Sequence, residues 1–272
     1  GVELIFVTLS PTVSMGYVPK FLKAGLRVID FSADYRFKDA KIYEKWYKTP
    51  HADPEGLASA VYGLPELFRK EIKKAHLVSN PGCYPVSVIL PLAPLLMKGL
   101  ILPTDIIVAS KSGVSGRGRE VTEASQYMEC NENIEAYSVG GHRHLPEMES
   151  ILSQASKTEV KIYFTPHLAP MNRGILSTIY ARVNPSQVGK ESLKETLKDF
   201  YKKEPFIRIK EGDEVPKTKE VSGTNFCDIS LRVVGERVII ISVIDNLIKG
   251  ASGIAVQNMN VMCGFEETTG LL

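Results

Sequence analysis

The sequence predicts an α/β protein of two domains: a parallel-sheet unit first, then an α+β unit with a mostly antiparallel sheet. Three observations predict it. Residues 1–82 alternate short apolar runs with helix-like spacing, the strand–helix–strand order that makes a parallel sheet. From Asp105 onward the apolar runs read mainly as strands, two of them joined by a tight hairpin. The chain has 272 residues, enough for one large or two ordinary domains.

Taken in order, Leu4–Leu9 reads as a strand and Pro11–Gly25 contains a helix, with Tyr17, Val18, Phe21 and Leu22 at helical spacing. Leu26–Phe31 is a second strand ending at Asp30, Lys41–Thr49 is amphipathic and aromatic, and Leu77–Ser79 is a short strand. Pro85–Lys98 is helical, with a kink expected at Pro91 and Pro94. Strands follow at Asp105–Ser110, Val160–Thr165, Ile175–Val183, Ile229–Val233 and Val238–Ile244, with Val234-Gly235-Glu236-Arg237 as the hairpin. Leu193, Leu197, Phe200 and Tyr201 mark an amphipathic helix, and Lys249–Met262 a final one. The boundary is expected near Asn80–Tyr84, with the last helix returning to the first domain. The domains are read as 1–82 plus 246–272, and 83–245.

Charge excludes several functions. With 33 Lys+Arg against 31 Asp+Glu, a net charge of +2 offers no excess field for nucleic acid or a membrane surface. The longest apolar stretch, Val86–Met97, is too short to span a bilayer. No secretory signal is readable, so a cytoplasmic location is expected. Cys83, Cys130, Cys227 and Cys263 are widely separated and form no CxxC, so neither a metal site nor a disulfide framework is expected.

Cys83 has chemistry around it. In Ser79-Asn80-Pro81-Gly82-Cys83-Tyr84-Pro85, Asn-Pro-Gly makes a tight turn, with Gly82 free to take positive φ, and Pro85 suits a first helical turn. Cys83 therefore sits at a helix N-terminus, where unpaired N–H groups and the dipole favour a thiolate and can stabilise an oxyanion. Gly140-Gly141-His142-Arg143-His144-Leu145-Pro146-Glu147 supplies an acid–base partner. Read as an extended segment, it points His142 and His144 the same way. Zinc ligation is the alternative, without an evident third ligand. Ser110–Arg119 is a Gly-rich loop after a strand, which can cradle a phosphate on its N–H groups. It matches neither GxGxxG nor GxxxxGK[ST]. Thr165–Gly174 brings His167 and Arg173 to a sheet edge, where Arg173 can bind an anion.

Seven blocks then occur in order: Asp30–Arg36, Val61–Glu66, Ser79–Pro85, Ser112–Arg119, Gly141–Glu147, Thr165–Leu176 and Lys249–Asn260. Together they closely resemble the N-acetyl-γ-glutamyl-phosphate reductases, relatives of aspartate-semialdehyde dehydrogenase, over essentially the whole chain. The resemblance implies a Rossmann-like nucleotide domain beside a catalytic and oligomerisation domain. It implies NADPH-dependent reduction of a small acyl phosphate to an aldehyde through a Cys83 thioester. By the same resemblance His144 is the acid–base residue with His142 as alternate, and Glu147 orients or polarises the pair. The resemblance also implies that Arg119, Tyr137, His167 and Arg173 line the substrate pocket, that Ser32, Ser112, Gly113, Ser115, Gly116 and Asn246 lie near NADP, and that a homodimer or tetramer forms through the antiparallel sheet.

Two departures stand out. Arg117 occupies a position where the family has a small residue. The family's opening strand, Gly-rich turn and helix, which carry the cofactor pyrophosphate, have no counterpart after Gly1, so a longer intact enzyme is expected. Three competing readings are a reductase of carrier-linked aminoadipyl or glutamyl phosphates, a catalytically dead interaction module, and a cysteine hydrolase.

Overall fold

The computed structural model describes residues 1–118, 123–187 and 192–272. The chain divides into two compact units, Gly1–Gly82 with Ala251–Leu272, and Cys83–Gly250. The second crossing falls at Gly250, a few residues beyond the position read from the sequence.

The first unit contains β1 (Leu4–Val7), α1 (Val18–Lys23), β2 (Arg27–Asp30), α2 (Ala40–Tyr47), α3 (Pro54–Ser59), β3 (Val61–Tyr62), α4 (Pro65–Ile72) and β4 (Leu77–Ser79). Its four strands form an all-parallel sheet in the order β1-β2-β4-β3. Successive strand residues face opposite sides, so Val28 and Leu77 join a core with Tyr35, Phe37, Tyr43 and Leu57. Ile29 and Val78 join another with Ile72, Ala255 and Val261. Apolar cover on both faces is what a parallel sheet requires.

Asp34 organises the loop after β1. Its carboxylate accepts the N–H groups of Thr12 and Met15 and the Tyr43 hydroxyl, at 2.7–3.1 Å. Asn80 is pinned at three points: its N–H donates to Asp30, its carbonyl accepts from Arg36 Nε, and its Nδ2 donates to Ala251.

The second unit begins with α5 (Cys83–Met97) and continues through β5 (Ile106–Gly113), α6 (Tyr127–Cys130), β6 (Glu135–Ala136), α7 (His144–Ser156), β7 (Ile162–Ala169) and β8 (Ile175–Arg182). It ends with α8 (Leu193–Tyr201), β9 (Ile207–Ile209), α9 (Thr218–Val221), β10 (Cys227–Val234) and β11 (Arg237–Ile244). Then α10 (Gly253–Cys263) returns to the first unit, against α4 and β2. The seven-stranded sheet has the order β6-β7-β5-β8-β11-β10-β9. It is mixed: β5–β7 and β9–β10 pair parallel and the other pairs are antiparallel. The β10–β11 hairpin turns at Val234–Arg237, as the sequence predicts.

One face of this sheet is covered by α5, which runs unbroken through Pro91 and Pro94. Pro94 has no N–H to give the Leu90 carbonyl four residues back, and the Tyr201 hydroxyl donates there instead, at 2.5 Å. Under the helix, Ser87, Ser177 and Ser110 form a buried hydroxyl chain with 2.7 Å links. The expected left-handed glycine before α5 is not used: among the described residues, those with positive φ do not include Gly82. No helix among the described residues is long and apolar enough to cross a membrane.

Candidate active site

Cys83 is the first residue of α5, a fifteen-residue helix with no acidic residue in its first turn. The helix start exposes donor groups and positive potential to the sulfur, which stabilises a thiolate. The chain before α10 closes on it: a Cβ added to Gly250 would come 2.9 Å from Cys83 Cβ. Glycine at 250 is thus a condition of the packing around the sulfur.

Tyr84, the next residue, is the hub of a ring cluster. Its ring meets those of His142 at 5.4 Å, His144 at 5.9 Å and Phe164 at 5.3 Å, all edge-on. Its hydroxyl is 3.0 Å from the Tyr137 hydroxyl and 3.3 Å from the His167 carbonyl. Burial pushes both phenols above their ordinary range, and each carries the imprint of Cys83, whose charge opposes ionisation of either tyrosine. Both hydroxyls stay protonated and can donate.

The histidines are not in an extended segment. Gly140 is left-handed, Gly141 N–H closes a turn on Ser138, and α7 begins at His144. The turn still brings the rings to 4.8 Å, edge to face. His142 Nδ1 accepts the His144 backbone N–H at 3.1 Å. With Nδ1 used as an acceptor, the proton of neutral His142 resides on Nε2. Burial, and then the charge of Arg143, lower the His142 pKa to about 4. Glu147 is buried in the same first helical turn, three residues beyond His144. Among the described residues no group of three His, Cys, Asp or Glu side chains is placed to hold a metal.

Other predicted residues fall into place differently. Arg119 lies outside the described residues. Tyr137 joins the cluster. Alternation along β7 puts the His167 ring on the face opposite Phe164, so His167 brings its carbonyl rather than its imidazole. Arg173 lies 3.6 Å from the buried Asp245, whose carboxylate also accepts the N–H groups of Gly223, Leu247 and Ile248. In the first unit, the Ser32 hydroxyl donates to Asp30 and accepts the Asp34 N–H.

The Gly-rich loop is not the open cradle expected. Gly113, Val114 and Ser115 donate their N–H groups to the carbonyls of Gly174, Met171 and Asn172. Ser115 Oγ donates to Asn172 and accepts from Asn246 Nδ2, and Asn246 Oδ1 accepts from Gly174. These residues stitch two loops together. Gly113 is glycine because a Cβ would lie 2.7 Å from the Asn172 oxygen, and a Cβ on Gly116 would lie 2.8 Å from Ser112 Oγ.

Tyr84, Phe164, Arg117 and Glu135 were not singled out from the sequence as site residues. Tyr84 adjoins Cys83, and Arg117 is the departure noted above. Those are the signals that could have found them. Arg117 donates to Glu135 at 3.0 Å and lies over the Tyr137 ring, 5.1 Å from its centroid.

Comparison with known proteins places this geometry. Residues 83–246 match the family model of the semialdehyde dehydrogenase dimerisation domain, and residues 1–75 that of the semialdehyde dehydrogenase NAD binding domain. The chain is 55% identical over 275 residues to N-acetyl-gamma-glutamyl-phosphate reductase of Geobacter metallireducens, covering 99% of this chain and 78% of that protein. It is 49% identical over 271 residues to the protein of the same name from Pelotomaculum thermopropionicum, with the same coverage. In fold it is similar to aspartate semialdehyde dehydrogenase II of Vibrio cholerae, with a TM-score of 0.72 at 16% identity, covering 97% of this chain and 80% of that one.

Proposed function

Because the chain belongs to the N-acetyl-γ-glutamyl-phosphate reductase family, we propose that Cys83 carries the covalent step of its reaction. That reaction is the NADPH-dependent reduction of N-acetyl-γ-glutamyl phosphate to N-acetylglutamate semialdehyde and phosphate, a step of arginine biosynthesis. The observation that carries the proposal is the start of α5: Cys83 is the first residue of the helix, and the next residue, Tyr84, sets its ring against the two imidazoles and its hydroxyl against that of Tyr137.

His144 takes the thiol proton, and the thiolate attacks the acyl carbon. The bond to the phosphate oxygen breaks, and the leaving group departs with the proton from His144 as hydrogen phosphate. The acyl group remains as a thioester on Cys83. NADPH, when bound, supplies the hydride that reduces this thioester. Collapse of the resulting tetrahedral oxyanion breaks the C–S bond, releases the aldehyde and leaves the thiolate, which takes a proton from water to restore the thiol. His144 has this role rather than His142, because His142 Nδ1 is occupied and its ring stays neutral. Glu147 is proposed to orient His144 from within the same helical turn.

The first unit offers one edge suited to a dinucleotide. The carboxyl ends of its parallel strands lie side by side, Val7 opposite Asp30, the edge at which such sheets bind nucleotides. Ser32 would shape that edge through its bond to Asp30. In the second unit, Gly113, Ser115 and Asn246 would act by holding their loop, which leaves Ser112 and Gly116 as its candidates for cofactor contact.

The test is stoichiometric. With the free acyl phosphate, one phosphate is released for each NADPH oxidised, and without NADPH a hydroxylamine-labile acyl group accumulates on Cys83. Turnover of a carrier-linked acyl phosphate alone would replace the small substrate with the carrier-bound one.

The partner proposed is a second copy. Register aligns Tyr163, Ile107, Tyr180 and Ile239 across β7, β5, β8 and β11 on the face away from α5. Tyr163 is 67% and Ile107 40% exposed. That apolar row belongs to the segment matched by the dimerisation-domain model. Sedimentation of Ile107→Glu/Tyr163→Glu is expected to show monomers where the wild type is a dimer. A double variant that still sediments as a dimer would move the interface elsewhere.

A further inference from the structure

The covalent scheme leaves Arg117 without a task, although its surroundings are those of a ligand-binding cation. It ends the short turn Val114–Arg117 that follows β5. Its guanidinium lies over the Tyr137 ring, and Nη2 donates to Glu135 at 3.0 Å. The side chain is 23% exposed, and its Nε is buried with no hydrogen-bond partner among the described residues. The Tyr137 hydroxyl is 3.0 Å from that of Tyr84, the residue after Cys83. The charge on Arg117 and a charge on Cys83 both act on the Tyr137 phenol, in opposite directions. Arg117 therefore sits within electrostatic reach of the reacting centre.

Its present partner is a weak hold. The Glu135 side chain is 40% exposed, so water competes for it and the bridge contributes little. A guanidinium offers parallel donors that match two oxygens of a phosphoryl group, and it stays charged at every working pH. Arg173, by contrast, faces the buried Asp245.

We propose that Arg117 is a phosphate-recognition residue, which exchanges Glu135 for the phosphoryl group of the acyl phosphate. The exchange would give the unpaired Nε an acceptor and set a positive charge beside the departing phosphate. It would also make the chain selective for acyl phosphates over neutral thioesters. The proposal rests on the Cys83 reading, since it needs an acyl phosphate at that residue.

The test runs the enzyme in reverse, with N-acetylglutamate semialdehyde, NADP and inorganic phosphate. Arg117→Ala is expected to raise KM for phosphate about tenfold or more, with little change in KM for the aldehyde. Arg117→Lys recovers part of the loss as a point charge, and Glu135→Gln lowers KM for phosphate by freeing the guanidinium. An unchanged phosphate KM in Arg117→Ala overturns the proposal, as does a rise confined to the aldehyde KM. A Glu135→Gln variant with the same defect as Arg117→Ala also overturns it, because the ion pair would then be structural. Wild-type oxidation that needs no phosphate would refute the acyl-phosphate reading on which the proposal rests, before any variant is compared.

Discussion

Cys83→Ser is expected to lower kcat for acyl-phosphate reduction by about 10³-fold or more, the scale at which loss of a covalent nucleophile is felt. The substitution keeps the shape of the side chain at the start of α5 and its approach to Gly250. What it removes is ionisation. A helix N-terminus shifts a thiol into the range where the anion is populated at neutral pH, and a hydroxyl begins too far from that range. An ester formed on serine would also be a poorer hydride acceptor than a thioester. Thermal unfolding should match the wild type, which separates lost chemistry from lost fold. Cys83→Ser activity within tenfold of wild type would transfer the nucleophile elsewhere.

The second large effect divides the two histidines. His144→Gln is expected to lower kcat/KM about 10²- to 10⁴-fold and to remove the rise of activity with pH that marks a general base. His142→Asn should cost less than about tenfold and keep that rise, because an Asn oxygen can accept the His144 N–H as a helix cap does. His142 should show itself in stability instead. Its folded pKa, about 4, lies below the ordinary 6.5, so the unfolded chain binds the extra proton between those values. Stability therefore falls as pH drops from about 6.5 to about 4, and His142→Asn should flatten that loss in denaturant titrations. A pH–rate limb that disappears with His142 and survives in the His144 variant would reverse the assignment.

Much of the fold and part of the site are legible in the sequence. The hairpin at Val234–Arg237, the parallel sheet of the first unit and the helix beginning at Cys83 follow from local residue pattern and apolar periodicity, whereas the strand order of that sheet does not. Each of these signals operates within a few residues. The histidine segment misled, because Gly140 and Gly141 make a turn where alternation suggested an extended strand. The Gly-rich loop misled for a different reason. Gly113 is there so that residues 171–174 can approach, and that partner lies far along the chain.

The sequence by itself determined that a cysteine would stand at a helix N-terminus in an α/β protein, since Pro85 suits the first helical turn and the apolar run after it continues the helix. It also determined the order of the motif blocks, and through them the family. Only the tertiary structure decided which groups gather around the residue that follows that cysteine, Tyr84. Tyr137 reaches Tyr84 because β6, just before it, pairs with β7. The His167 ring turns away because strand register fixes its face, and Arg117 arrives over Tyr137 because β5 delivers the loop there. Contacts between residues distant in the chain depend on sheet register and helix packing, which only the whole folded chain specifies.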